Sequence, residues 1–234
     1  VPPYIPPYVF GGWLLDASPE NLHTVEKHSV GVISELAKID LSSFNTEFLE
    51  SGFPGKTHLR RHFSAQQNYY QWVVGNNREH PVIENTFTWL EENWPEESAT
   101  VLSWGDSRIG NIMFNNESFT PVAVFDWEMA GLAPVEVDLG WIAFLHSFFQ
   151  DIAETYEFPG LPDFMKAETV KDIYKEQTGH TSKDLRWFMV YAGLRHAIIM
   201  SRINDRSVRF GQAIWTEDVD DAIPHSNLLW SMIR

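Results

Sequence analysis

The sequence predicts an α+β protein that is mostly helical and carries a small β-hairpin in the middle of the chain. Apolar residues recur at helical spacing before residue 95 and again after residue 134. Between these regions the pattern changes to short apolar runs of the kind that form strands. Hydrophobic residues make up 44% of the 234 residues, so the chain is long and apolar enough to bury a core.

The first residues predict a linker. The chain begins VPPYIPPYVFGGW, without methionine and with four prolines among its first seven residues. Such a segment is typical of polyproline II and turn conformations. We therefore expect residues 1–17 to be an inter-domain hinge that follows an upstream N-terminal lobe, and residues 18–234 to form a second lobe. A proline-rich free terminus is the alternative.

Helices are predicted throughout the first half of the chain. Ser18, Pro19 and Glu20 are favourable as the N-cap, the first residue and a first-turn acid of the first helix. Gly75-Asn76-Asn77 ends the second helix, and Pro95 ends the third. We expect these helices near residues 18–40, 59–74 and 81–94.

Strands follow, and then the chain returns to helix. Residues 115–118, with the sequence Asn-Asn-Glu-Ser, form a credible hairpin loop between the second and third strands. Ser182 is expected to be the N-cap of a long helix, and Pro224 makes the last helix uncertain. The strands are expected at residues 101–104, 112–114 and 121–125, and the helices after Pro134 and near residues 165–177, 182–206 and 218–232.

The hairpin region holds a set of polar residues whose order indicates a metal site. In LSWGDSRIGNIMF, residues 102–114, Asp106 and Asn111 lie between two apolar runs, and Asp126 directly follows the strand that ends at Phe125. A hairpin brings the loop before its first strand close to the loop after its second strand. The two carboxylates and the amide oxygen are hard ligands that suit Mg²⁺ held partly by phosphate oxygens and water.

These motifs resemble those of the aminoglycoside-phosphotransferase-like kinase family, which is related to the protein kinases. SWGDSRIGNIMF is similar to the family's catalytic loop, VAVFDWEMA to its metal-binding segment, and APVEVDLGW to the continuation. The resemblance is closest to the subgroup fused to acyl-CoA dehydrogenases. It implies a protein-kinase-like C-terminal lobe whose hairpin carries the catalytic loop, residues 103–114, followed by a metal-binding segment, residues 122–138.

The resemblance also implies a role for each site residue. Asp106 would be the catalytic base or would orient the attacking hydroxyl, and Asn111 and Asp126 would hold Mg²⁺ beside bound ATP. Asp138 would support the catalytic loop through hydrogen bonds, or would simply favour the dipole of its helix. Arg108 would bind a phosphate or an acidic group of the substrate, with a salt bridge to a neighbouring carboxylate as the alternative.

By this resemblance the chain is an ATP-dependent phosphotransferase that acts on a small-molecule hydroxyl, such as that of a hydroxyacyl compound or an aminoglycoside. Trp104 stands where the family commonly has histidine, so the packing of the loop is expected to differ. The family's glycine-rich loop and strand lysine belong to an N-terminal lobe, and these residues contain neither. The chain alone is therefore expected to be weakly active. The alternative is a catalytically inactive lobe that binds a ligand or a partner.

Composition excludes several other classes of function. A net charge of −15 argues against nucleic acid as the main partner, because phosphate backbones require lysine and arginine. No apolar run approaches the roughly 20 residues that cross a bilayer. The absence of cysteine and of a signal peptide favours a cytoplasmic protein.

Several further residues have an ordinary structural interpretation. Glu128 is expected to face solvent, although a position near the metal is the alternative. His146 and His196 are expected in the core or at the edge of a pocket, and the alternative, which the family resemblance implies, is contact with the substrate. The default expectation for the arginines that recur along the long C-terminal helix is exposure on its surface. These arginines are Arg195, Arg202, Arg206 and Arg209.

Overall fold

The computed structural model describes residues 7–75, 78–182 and 184–234. The predicted fold class is confirmed, since helices dominate and the strands form small antiparallel pairs. Asn76, Asn77 and the first six residues of the predicted hinge lie outside the described residues. The helices are α1 (Pro19–Ala37), α2 (His58–Val74), α3 (Pro81–Glu92), α4 (Glu136–Thr155), α5 (Ala167–Thr178), α6 (Arg186–Arg209) and α7 (Ser226–Ile233). The strands are β1 (Thr100–Ser103), β2 (Ile112–Phe114), β3 (Pro121–Val124) and β4 (Gly131–Pro134).

Local signals set the start of the first helix as predicted. The hydroxyl of Ser18 accepts a hydrogen bond from the backbone N–H of Asn21 at 3.2 Å, and Pro19 is the first residue of α1. The helix ends at Ala37, earlier than expected. Asp40 caps a short 3₁₀ turn instead, because its carboxylate accepts the N–H of Ser42.

The predicted hairpin is confirmed, but a second two-stranded sheet contains a strand, β4, that the sequence pattern does not reveal. Strands β2 and β3 pair antiparallel, with Ile112 opposite Val124. Strand β1 pairs with β4 rather than with the hairpin, with Ser103 opposite Gly131. Strand β4 has the sequence Gly-Leu-Ala-Pro, which lacks β-branched residues and has weak strand propensity. Its strand conformation therefore depends on pairing with β1.

The α4 and α6 helices form the centre of the lobe and pack closely. A Cβ atom on Gly140 would lie 2.6 Å from the Cβ of Phe188, so only glycine permits this approach. The ring of Phe144 packs on the other side of the contact, against Gly193. Within the described residues, no helix combines the length and the apolar character required to cross a bilayer.

The start of α6 differs from the prediction. Leu185, not Ser182, is the N-cap of this helix, and the hydroxyl of Ser182 donates to the buried carboxylate of Glu136 at 3.0 Å. The preference of serine for helix ends is therefore overridden by a buried acceptor that lies far away in the sequence. The last predicted helix is also shorter, since a 3₁₀ turn at residues 219–222 precedes α7.

The described part of the predicted hinge, residues 7–17, packs against the helices. Val9 and Leu14 are buried. The Tyr8 hydroxyl lies 2.8 Å from Nδ1 of His146, and Nε2 of His146 lies 3.0 Å from the carbonyl oxygen of Leu161. A carbonyl only accepts, so Nε2 carries the proton and Nδ1 accepts from Tyr8. Burial lowers the pKa of His146 to about 4, which keeps the ring neutral for this bond.

Candidate active site

The carboxylate of Asp106 is the most closely held group of the β1–β2 loop. The amide Nδ2 of Asn111 donates to its Oδ2 at 2.7 Å, and the indole N–H of Trp141 donates to its Oδ1 at 2.8 Å. The side chain is 14% exposed, so one side remains open to solvent. Asp106 is therefore fixed in orientation but accessible to a substrate.

Asp138 holds the backbone that leads into Asp106. Its Oδ2 accepts the N–H of Trp104 and its Oδ1 accepts the N–H of Gly105, each at 2.8 Å. The hydroxyl of Ser107 donates to the carbonyl of Asp138 at 2.8 Å. Burial raises the pKa of Asp138, and the backbone N–H donors oppose this shift by favouring the charged form. The carboxylate lies in the first turn of α4, so it also occupies the position that favours the helix dipole.

Trp104 connects the loop to the end of the hairpin. Its side chain is fully buried, and its indole N–H lies 2.9 Å from the carbonyl of Phe125 and 3.2 Å from that of Asp126. The backbone N–H of Phe125 also donates to the carbonyl of Asn111 at 2.9 Å. These bonds hold the segment that carries Asp126 against the loop that carries Asp106 and Asn111.

Gly105 permits a very close approach of this loop to residues 126–130. It has a φ of +88°, and a Cβ atom there would lie 2.1 Å from the carbonyl oxygen of Met129. Both the backbone conformation and the contact therefore require glycine.

Arg108 lies between two carboxylates. Its Nε donates to Oδ2 of Asp106 at 3.0 Å, and its Nη2 is 3.9 Å from Oδ2 of Asp126. The structure thus shows the salt-bridge alternative, and the Arg108 side chain is 40% exposed. Because Arg108 contacts both groups, it brings the carboxylates of the predicted catalytic loop and the predicted metal-binding segment to one place.

Asp126 and Glu128 form a pair of neighbouring carboxyl groups. Asp126 has a φ of +65°, a conformation that aspartate tolerates better than most residues. A hydrogen bond with Asp126, together with repulsion from its charge, raises the pKa of Glu128. Glu128 is exposed as expected, but it also lies beside Asp126, so the expectation of a purely solvent-facing residue is incomplete.

Arg195 belongs to this site, and the expectation of an exposed helix arginine is wrong for it. Its side chain is 1% exposed, its Nη2 donates to the carbonyl of Gly105 at 2.9 Å, and its guanidinium lies 4.3 Å from the centre of a Trp141 ring. A signal was present in the sequence, because Arg195 continues the helical stripe formed by Phe188 and Ala192. By contrast, Arg206 and Arg209 are exposed as expected, and Arg202 stacks on Trp72.

The donor set fits a hard divalent ion only in part. Nδ2 of Asn111 donates a hydrogen bond to Asp106, so the Asn111 atom that remains available to a metal ion is Oδ1. Asp126 supplies a half-exposed carboxylate, whose repulsion with Glu128 a cation would relieve. Among the described residues, no group of three histidine, cysteine or acidic side chains is arranged to hold a metal. Asn111 and Asp126 are therefore suited to an ion that completes its shell with phosphate oxygens and water.

A helical lobe in which an Asp-x₄-Asn loop meets an aspartate at the end of a hairpin has the architecture of a kinase-like phosphotransferase. The chain belongs to the phosphotransferase enzyme family, which matches residues 7–166. The predicted family is therefore confirmed.

Known proteins similar to this chain agree with this membership. The fold resembles that of a candidate aminoglycoside phosphotransferase of Ralstonia eutropha, with a TM-score of 0.70, 21% identity, and coverage of 95% of this chain and 69% of the other. A macrolide 2′-phosphotransferase of Brachybacterium faecium has a TM-score of 0.50 and 16% identity, over 87% of this chain and 59% of the other.

Human acyl-CoA dehydrogenase family member 11 is 26% identical over 139 residues. The match covers 58% of this chain and only 18% of the length of the human protein. The chain thus resembles one part of a much longer relative.

Proposed function

We propose that this chain is the C-terminal lobe of an ATP-dependent kinase that phosphorylates the hydroxyl of a small molecule. The observation that carries the proposal is the meeting of Asp106, Asn111 and Asp126, which Arg108 and Trp104 hold together. The arrangement matches the template for phosphoryl transfer in both residue types and order.

Each side chain has a distinct task in this reaction. Asp106 accepts the proton of the substrate hydroxyl as its oxygen bonds to the γ-phosphorus, while the bond from that phosphorus to the bridging oxygen breaks and ADP leaves. The N–H groups of Asn111 and Trp141 keep the carboxylate aimed at the hydroxyl. Asn111 Oδ1 and Asp126 would hold Mg²⁺, which supplies neutralisation of phosphate charge when bound.

Arg108 and Asp138 support the reaction from opposite sides of the loop. The Arg108 guanidinium is partly exposed, so it can exchange its contact with Asp126 for a phosphate or an acidic substrate group. Asp138 acts as a positioning residue through the two backbone N–H groups that precede Asp106. An upstream N-terminal lobe would complete the nucleotide site.

The test is the Asp106→Asn variant of the full-length protein, assayed for ATP consumption with aminoglycosides, sugars, choline-like amines and hydroxyacyl-CoAs. We expect a loss of phosphotransfer of at least about 100-fold, because asparagine cannot accept the proton. Asp172→Asn, an exposed aspartate of α5, is the matched control and should keep wild-type activity. Activity of Asp106→Asn within tenfold of wild type would exclude the proposed base.

A second function is a lobe that binds a ligand or a partner without turnover. It is favoured by the absence of a glycine-rich loop and a strand lysine from these residues. If the full-length wild-type protein consumes ATP with none of these acceptors, the non-catalytic function replaces the kinase.

A further inference from the structure

His196 of α6 and His225, the N-cap residue of α7, form a pair that packs against aromatic rings of α4. The His196 and His225 rings are 4.8 Å apart, and the ring of Phe148 lies 5.2 Å from that of His196. The ring of Trp141 is 6.3 Å from His196, and its indole N–H donates to Asp106. One indole thus separates the imidazole of His196 from the carboxylate that would take the substrate proton.

The hydrogen bonds of the pair determine which nitrogen atoms carry protons. Nε2 of His225 lies 3.0 Å from the carbonyl oxygen of Gly193, so this nitrogen is the donor. In the neutral ring, Nδ1 of His225 then has a lone pair. Nδ1 of His196 lies 3.3 Å from it and must donate, which leaves Nε2 of His196 without a proton.

Both rings are neutral near pH 7. Burial lowers the pKa of His225 to about 4, and burial together with the charges of His225 and Arg108 lowers that of His196 to about 3. Among the described residues, Nε2 of His196 has no hydrogen-bond partner, and the side chain is partly exposed. His196 therefore carries a neutral hydrogen-bond acceptor, rather than a cation, on a ring that packs against Trp141, the residue that donates to Asp106.

We propose that Nε2 of His196 accepts a hydrogen bond from a second donor of the phosphate acceptor, which is then an alcohol with a neighbouring hydroxyl or amine group. This inference rests on the proposed kinase function. A neutral ring with a lone pair on Nε2 repels an anionic group at this atom and selects a hydrogen-bond donor. Arg108 cannot replace His196 in this role, because a guanidinium only donates hydrogen bonds and its Nε already donates to Asp106.

The first experiment measures histidine tautomers by long-range ¹H–¹⁵N NMR at pH 7. His196, assigned by comparison with His196→Phe, is expected in the Nδ1–H form, which is the minor tautomer of free histidine. His225 is expected in the Nε2–H form, because its Nε2 faces the carbonyl oxygen of Gly193. A proton on Nε2 of His196 would overturn the proposal, and this measurement needs no enzymatic activity.

The second experiment compares a 1,2-diol or amino alcohol, chosen from the acceptors that the full-length protein phosphorylates, with the derivative in which the second donor is methylated. Wild type is expected to lose roughly tenfold in kcat/KM with the methylated compound, because an acceptor atom is left unpaired. His196→Phe should treat both compounds alike within about twofold, with an unchanged KM for ATP.

Full retention of the discrimination by His196→Phe would refute the recognition by His196. If wild type phosphorylates no alcohol, the proposed kinase function fails and the recognition role fails with it. The tautomers of His196 and His225 are decided separately by the NMR measurement.

Discussion

At the scale of single residues, the site depends on donors that surround one carboxylate. Asp106 receives hydrogen bonds from an amide, an indole and a guanidinium, which come from Asn111, Trp141 and Arg108. Each donor restricts one direction of the carboxylate, so its orientation is set before a substrate arrives. Such pre-organisation lowers the cost of reaching the transition state.

Arg195 is expected to position this carboxylate without touching the substrate. On the proposed kinase function, Arg195→Met in the full-length protein should lower kcat by roughly tenfold to 100-fold, because the Gly105 carbonyl loses its donor and Trp141 loses the stacked cation. The KM for ATP should change less than about threefold. Arg195→Lys keeps the charge but lacks the planar guanidinium, so it should restore only part of the rate.

The control for this prediction is Arg209→Met, which removes an exposed arginine from the same helix and should leave kcat unchanged. Thermal unfolding of each variant separates loss of folding from loss of positioning. A folded Arg195→Met enzyme with wild-type kcat would show that the buried cation serves packing only.

At the scale of elements, two antiparallel strand pairs flank the loop that carries Asp106 and Asn111. β1 enters the loop, and its partner β4 follows the segment that carries Asp126. β2 leaves the loop, and its partner β3 leads into the same segment. The two strand pairs therefore fix both ends of the β1–β2 loop and both ends of the β3–β4 segment. The loop and the segment approach each other closely where Gly105 meets Met129.

Gly105→Ala is expected to break this arrangement. The added Cβ would meet the Met129 carbonyl at 2.1 Å, and the residue would also have to keep a φ of +88°. We expect the free energy of unfolding in urea to fall by at least about 2 kcal/mol, from overlap and backbone strain together. Gly52→Ala, where the added atom meets open space, should cost less than about 0.5 kcal/mol. Equal stability of the two variants would contradict this account of the loop.

At the scale of the whole molecule, neutral histidines that are buried or partly buried connect the elements. His62 lies 2.6 Å from the hydroxyl of Tyr191, and His146 connects the N-terminal segment to α4. Burial lowers the pKa of His62 to about 3, below the ordinary value of 6.5. His146, His196 and His225 also have pKa values lowered to about 3 or 4. Protonation of these rings in acid would therefore disrupt several contacts between helices.

These histidines predict a loss of stability in weak acid. Between about pH 6.5 and pH 4 the unfolded chain binds protons that the folded protein does not, so stability falls as the pH falls. The contribution of His62 is fully present above pH 6.5, and its loss at pH 5 is about 2 kcal/mol. Tyr191 and Arg195, which surround His62, do not titrate in this range.

Urea unfolding at pH 7 and pH 5 tests this linkage. His62→Phe should lose about 2 kcal/mol less than wild type between these two pH values. Equal losses in wild type and His62→Phe would indicate that His62 is protonated in the folded protein.

Local sequence determined the helices with strong end signals, such as α1 after Ser18, and the order of Asp106, Asn111 and Asp126 along the chain. Helix capping, hydrophobic periodicity and hairpin closure each depend on residues that are close in the sequence, so the sequence alone predicts them. Only the tertiary structure decided that Arg195 is buried beneath the loop, that β4 pairs with β1, and that Ser182 bonds Glu136 instead of capping a helix. These contacts join residues more than 25 positions apart, and their energy depends on neighbours that no local pattern specifies.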